Sequence, residues 1–466
     1  MLFRSIESHD EANSAIHFHS YSYAIFLGIV FLLSSVLLRW PTLRLLFLLL
    51  ASYYFYASWK LWPLAIIVFS TLVDYLACLG IERTRQRGGS GRFYLLFSLF
   101  SNLGLLFSFK YLDFAIGSLN TILSSWQIEP LPLLGLLLPV GISFYTFQTL
   151  SYTIDVYRRQ IPVERSLFRF AFYVAFFPQL VAGPIVRARE FLPDLRADLS
   201  HFTVGDAEFF TGLTLIFRGL FKKVMADFLA LQLVDRFFDQ PTMYTSIEGI
   251  LAIYAYGLQI YGDFSGYTDI AIGSAMLLGF RLTENFQRPY QSVSVTEFWR
   301  RWHISLGAWL RDYLYISLGG SRQRLYFNLL VTMVLGGLWH GASWNFVLWG
   351  AYHGLLLVLE RKLKLDLLEG YRALRMLVVL HLVLLGWLLF RVQDLSQLNQ
   401  IVGIIGQLDM RLPNTGWAAP LAMVIWYLQH VTPARYREYL EAWLVDLPVI
   451  LKALFASGAL ILLHQF

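Results

Sequence analysis

The chain is poor in charge. Only 15% of its 466 residues are Asp, Glu, Lys or Arg, against about 25% in a soluble domain. That is too little charge to coat a water-facing surface of this size. Cysteine is nearly absent: Cys78 stands alone, which excludes an intramolecular disulfide and a CxxC zinc site. There is no basic tail, and the net charge of +6 is scattered between apolar runs, which argues against a nucleic-acid partner. A GxSxG nucleophile elbow, an HExxH metal motif and a Walker A loop are all missing. The fragment GDFSG at 262–266 has the wrong spacing for the first of these. With no covalent nucleophile and no metal motif in view, a histidine that activates a substrate hydroxyl is the simplest chemistry left.

What is present is apolar. Hydrophobic residues make up 57% of the chain, aromatics 17%, and the mean hydropathy is +0.55. Such a composition implies an all-α polytopic membrane protein, with lipid as one of its partners. A membrane span needs about 20 mostly apolar residues. Clear candidates lie at 22–38, 43–58, 61–80, 93–112, 131–151, 247–262, 264–280, 342–359, 373–391 and 447–465, with weaker ones at 168–186, 325–340 and 417–429. These give about ten to twelve crossings. Nothing divides the chain, so residues 1–466 read as a single membrane domain without internal repeats. Cytoplasmic loops carry the Lys and Arg excess. Arg39 and Arg44, the four arginines of 81–92 and the loop 155–166 alternate consistently, which puts the acidic N-terminus outside. The first apolar run lacks a cleavage site and reads as a retained span.

Several apolar stretches look interrupted. FFPQLVAGPIV (176–186) holds two prolines, a glycine and Gln179; GDFSGYTD (262–269) holds Asp263 and Asp269; residues 208–237 divide into two short pieces around Arg218, Lys222 and Lys223. Broken backbone cannot face lipid, so it must be buried in protein or line a wet cavity. Asp263 and Asp269 are expected to pair with cations or cap a broken helix. The segment 296–316, TEFWRRWHISLGAWLRDYLYI, is too charged to span and reads as one amphipathic helix lying at the interface or plugged into a funnel. Its polar face would carry Glu297, Arg300, Arg301, Ser305, Arg311 and Asp312, and its apolar face Phe298, Trp299, Trp302 and Leu306, with His303 at the edge. A second interfacial helix is expected at 432–446.

Two histidines stand out. His340 lies within LGGLWHGASWNF, deep in apolar sequence, and an ionisable group there is a functional candidate by default. Gly336, Gly337 and Gly341 clear space around it, and Ser343 and Asn345 follow on a turn. A neutral histidine bonded to a neighbouring helix carbonyl would fit the same position. His303 has weaker local support, and His353 reads as packing or hydrogen bonding.

Taken together, FWRRWHISLGAWLRDYLYISLGG (298–320), GGLWHGASWNFVLWGAYHG (336–354), LVAGPIVR (180–187), YGDFSGYTDIAIG (261–273) and NFQRPY (285–290) resemble the membrane-bound O-acyltransferases, and most closely the bacterial branch that acetylates alginate. The likeness runs over roughly residues 40–360, with C-terminal helices at 373–466. Ser317 stands where that pattern has proline. The resemblance implies a ring of helices around a central funnel, lined by re-entrant and interfacial helices, in a bacterial inner membrane. It implies catalysis by His340 and His303, with Asn345, Trp339, Asp263, Gln179, Trp299 and Tyr267 about the substrate. It implies cytoplasmic acetyl-CoA as donor, its nucleotide near Arg158, Arg159, Lys222 and Lys223, and no metal. Periplasmic acetyltransferase or accessory proteins and a polysaccharide acceptor would be the partners. Peptidoglycan O-acetylation, teichoic-acid D-alanylation and, from another class, a transporter remain open on sequence alone.

Overall fold

The computed structural model describes residues 16–181, 183–196, 204–363 and 370–432. The expected span 447–465 and the expected helix 432–446, beyond Thr432, lie outside them. Regular structure among the described residues is entirely helical. Among the described residues, four helices are long and apolar enough to cross a membrane: Tyr21–Arg39, Trp62–Gln86, Arg92–Ser125 and Arg372–Arg391. Pro41–Ala57, Leu325–His340 and Ala418–Val431 are apolar but shorter. The protein is therefore a multi-pass membrane protein with several apolar spans, rather than one in which ten to twelve are identified.

The chain divides into two compact units. The first comprises residues 1–208 and 274–283. Proline opens two of its helices at the first turn, where a missing N–H costs nothing: Pro41 in Pro41–Ala57 and Pro63 in Trp62–Gln86. The expected span 131–151 is instead irregular chain up to residue 140 followed by helix Ile142–Tyr157. The expected break near 176 is present: helix Leu167–Ala175 ends at Phe176, and Phe177–Leu180 forms a single further turn. Buried rings of Phe172, Phe176, Phe191 and Phe280 pack around this break. Arg44, counted above as a loop arginine, is buried, with Nε donating to Ser34 Oγ at 2.9 Å and Nη2 to the Leu278 carbonyl at 2.9 Å.

The second unit comprises residues 209–273 and 284–466. Two expectations fail here. Residues 208–237 are not two short pieces: helix Asp206–Leu229 runs unbroken and continues through Ala230–Val234 to Asp235–Asp239. Nor does GDFSGYTD interrupt anything: it lies inside Ser246–Leu277, a helix of 32 residues. The glycines serve a close helix crossing. A Cβ on Gly266 or Gly273 would run into the backbone carbonyls of Gly219 and Gly212, respectively, and one on Gly262 would strike the Trp426 ring and crowd the Lys222 carbonyl. The carboxylates between those glycines are neutralised across the same crossing. Asp269 accepts from Arg218 at 2.9 Å and Lys222 at 2.6 Å, and Asp263 pairs with Lys223 at 2.7 Å.

Candidate active site

The segment 296–316 is not one helix. Ser294 caps Val295–Arg301 by accepting from Glu297 N at 3.0 Å, a capping box opening. The helix stops at Trp302, whose backbone is extended, and His303 takes a left-handed conformation with φ 45° before Ile304–Trp309 begins. Asn285 makes the break affordable. Its carbonyl accepts from Ile304 N at 3.0 Å, and its side-chain Oδ1 accepts from Ser305 N at 3.1 Å and Ser305 Oγ at 2.9 Å. These bonds replace those that the helix would have made.

The same oxygen lies 3.2 Å from His303 Nδ1. Because the Ser305 backbone N–H identifies that atom as the amide oxygen, His303 Nδ1 must be the protonated nitrogen. The lone pair of the neutral ring then sits on Nε2. The imidazole is buried, with Phe264 edge-on at 4.7 Å and Trp339 at 5.8 Å between ring centroids. Sequence reasoning quoted Asn285 within NFQRPY without assigning it a part. Its signal, an Asn ahead of a His-Ile-Ser sequence, acquires meaning only once the two loops meet.

His340 ends helix Leu325–His340, and Gly341 carries the chain extended into Trp344–Leu363. The two helices can press together because Gly337 faces the Phe346 carbonyl and Gly350 faces the Met333 carbonyl, where a Cβ would collide. His340 is partly exposed. Three aromatic rings meet it edge to face: Trp339 at 5.0 Å, Trp349 at 5.2 Å and Phe390 at 5.4 Å. The His303 and His340 centroids are 6.4 Å apart.

The remaining sequence-predicted residues fall into three groups. Trp339 touches both histidines, and Trp299 packs on Trp349 at 5.6 Å. Asn345 is buried with Nδ2 donating to the Val392 carbonyl at 2.8 Å, and Lys223 lies over the Tyr267 ring at 5.5 Å. In the other unit, Gln179 Nε2 donates to the Tyr173 carbonyl at 2.6 Å, satisfying the end of a broken helix. The basic residues differ among themselves. Lys222 and Lys223 are held by Asp269, Asp227 and Asp263. Arg158 and Arg159 are exposed on the turn after Ile142–Tyr157, and Arg159, at φ 60°, takes the left-handed position usually given to glycine. Arg159 also lines a cleft of about 530 Å³ with Arg85, Gln86 and Gln160. No cluster of three His, Cys, Asp or Glu side chains suited to a metal occurs among the described residues.

Residues 48–364 match the membrane-bound O-acyltransferase family. A probable alginate O-acetylase of Azotobacter vinelandii is 46% identical over 360 residues, covering 76% of this chain and 70% of that protein. A peptidoglycan O-acetyltransferase of Helicobacter pylori is 34% identical over 78% of this chain and 74% of its own length. A teichoic acid D-alanyltransferase of Bacillus subtilis is 28% identical over 47% of this chain and 58% of its own.

Proposed function

This chain belongs to the membrane-bound O-acyltransferase family and is an O-acyltransferase, and from that premise we propose that it moves an acetyl group from cytoplasmic acetyl-CoA to a hydroxyl on the outer side of a bacterial inner membrane. The N-terminus lies outside in this reading, and ten to twelve crossings ring a central funnel. Alginate, directly or through a periplasmic acetyltransferase or accessory protein, is the first-choice acceptor, because five alginate O-acetylase relatives are 42–46% identical to the chain.

The observation that carries the reading is the pair of imidazoles 6.4 Å apart, one partly exposed and one buried and oriented. His340 is the general base. It takes the hydroxyl proton as the acceptor oxygen attacks the thioester carbonyl carbon. Backbone N–H groups at the start of Trp344–Leu363 hold the oxyanion, as a helix N-terminus does. When the tetrahedral intermediate collapses, the C–S bond breaks and His340 returns the proton to the departing thiolate. An imidazole suits both transfers because its ordinary pKa lies near working pH. His303, through Nε2, accepts from a neighbouring hydroxyl of the acceptor and so positions the attacking one. Trp339 and Trp299 line the path, while Asn345, Asp263, Tyr267 and Gln179 act through the protein groups they already hold. Arg158 and Arg159 are the natural contacts for the donor's phosphates. Lys222 and Lys223 would join them only by releasing their carboxylates.

The test is replacement. An alginate-producing strain lacking its own membrane O-acetyltransferase receives this chain or its His340→Ala variant, and acetyl ester per uronate is measured. Restoration by the wild type alone is expected. Acetylation at wild-type level by His340→Ala would remove His340 from the chemistry. Acetyl or D-alanyl appearing on peptidoglycan or teichoic acid instead of alginate would reassign the acceptor.

A further inference from the structure

His353 is fully buried in helix Trp344–Leu363, and neither of its ring nitrogens has a hydrogen-bond partner among the described residues. Its cage is aromatic: Trp349 at 5.0 Å, Trp299 at 5.1 Å, Tyr352 at 5.2 Å and Phe298, nearly coplanar, at 6.5 Å. Gly386 of helix Arg372–Arg391 presses on the ring so closely that a Cβ there would strike it. A phenylalanine would fill this shape without burying two polar atoms. The indole N–H groups of Trp299 and Trp349 are buried and unpaired as well. Buried polar groups are almost always satisfied, and each exception asks for an explanation. Here four unpaired ring nitrogens gather on three touching rings. A guest of water's size, which takes two to four polar partners, is the ligand class that fits.

The geometry points to His353 as a positioning residue for His340, holding a buried water with the Trp299 and Trp349 indoles. Trp349 is the wall the two histidines share, 5.2 Å from one ring and 5.0 Å from the other. The water supplies a fixed dipole, and Trp349 a rigid wall, beside His340 while that ring carries the acceptor's proton. His353 itself touches no reacting atom, and no bond forms or breaks on it. The inference rests on His340 being the base.

The experiment uses membranes of the complemented strain, radiolabelled acetyl-CoA and label incorporated into alginate, with initial rates normalised to chain amount. His353→Phe is expected to lower kcat about tenfold, the worth of one net hydrogen bond, with the KM for acetyl-CoA unchanged. Its melting temperature in detergent is expected to stay close to the wild type's, because phenylalanine fills the same shape. His353→Gln, which keeps a donor and an acceptor, is expected to recover most of the rate. Wild-type kcat in His353→Phe overturns the proposal. So does failure of His353→Phe to accumulate folded, or a kcat in His353→Gln as low as in His353→Phe, since either makes the imidazole a packing element. His340→Ala is run alongside. If it is inactive beside a fully active His353→Phe, this inference alone falls; if it is active, the base assignment falls first.

Discussion

Two buried polar clusters make an instructive pair. In the first unit, Asp74 lies near the middle of helix Trp62–Gln86 and is completely buried. Its carboxylate accepts from Ser98 Oγ, from Thr153 Oγ1 at 2.8 Å and from Asn102 Nδ2 at 2.8 Å, and Asn102 in turn accepts from Ser70 Oγ at 2.6 Å. Every strand of that network ends on a neighbouring helix, Arg92–Leu106 or Ile142–Tyr157, or returns to its own. In the second unit, the imidazoles of His303, His340 and His353 share aromatic walls, and neither ring nitrogen of His353 has a hydrogen-bond partner among the described residues. The same difficulty, polar atoms in an apolar chain, is met in opposite ways. A closed network fixes how helices meet. An open one, in which both His353 ring nitrogens face rings instead of hydrogen-bond partners, keeps capacity for a guest.

That contrast predicts different failures. The largest effect belongs to the open cluster: His340→Ala should cut acetyl transfer by about 10²–10⁴, the usual worth of a general base, while leaving the melting temperature in detergent close to wild type. His303→Ala should cost about 10–10² in rate, less because it orients rather than carries the proton. An unchanged rate would return His303 to packing. Asn285→Ala should lower the rate about tenfold by freeing the His303 ring, and Asn285→Asp, which keeps the accepting oxygen, should lose less. If both variants matched wild type, the Asn285 bond would have no bearing on the reaction. The smallest catalytic effect and the clearest stability effect belong to the closed cluster. Asp74→Leu should lower stability by about 2 kcal/mol, from interhelical bonds worth about 0.6 kcal/mol each in a membrane protein plus the donors left unmet, with kcat per folded chain unchanged. A rate defect larger than the loss of folded protein would break the comparison.

Composition and periodicity carried the helical, multi-pass character, because an apolar excess has nowhere to go except lipid and lipid tolerates only backbone that satisfies itself. The break at Phe176 was legible for the same reason, since proline removes a backbone donor wherever it stands. The break at His303 was not. Local amphipathicity ran straight through it, and its replacement hydrogen bonds come from Asn285, eighteen positions earlier. The glycines of GDFSGYTD misled in the other direction, reading as interruption until helix Asp206–Leu229 was found against them. Asp74 went unnoticed because a single carboxylate in a long apolar run gives no sign of its partners 24, 28 and 79 residues away.

By itself, then, the sequence determined what is intrinsic to short stretches: solvent class, helix content, the presence of His340 among glycines and tryptophans. Only the tertiary structure decided which polar groups are answered and which are left open, because a hydrogen bond between distant segments has no local signature. The bonds to Asp74 from two other helices, and those from Asn285 across the break at His303, are of that kind.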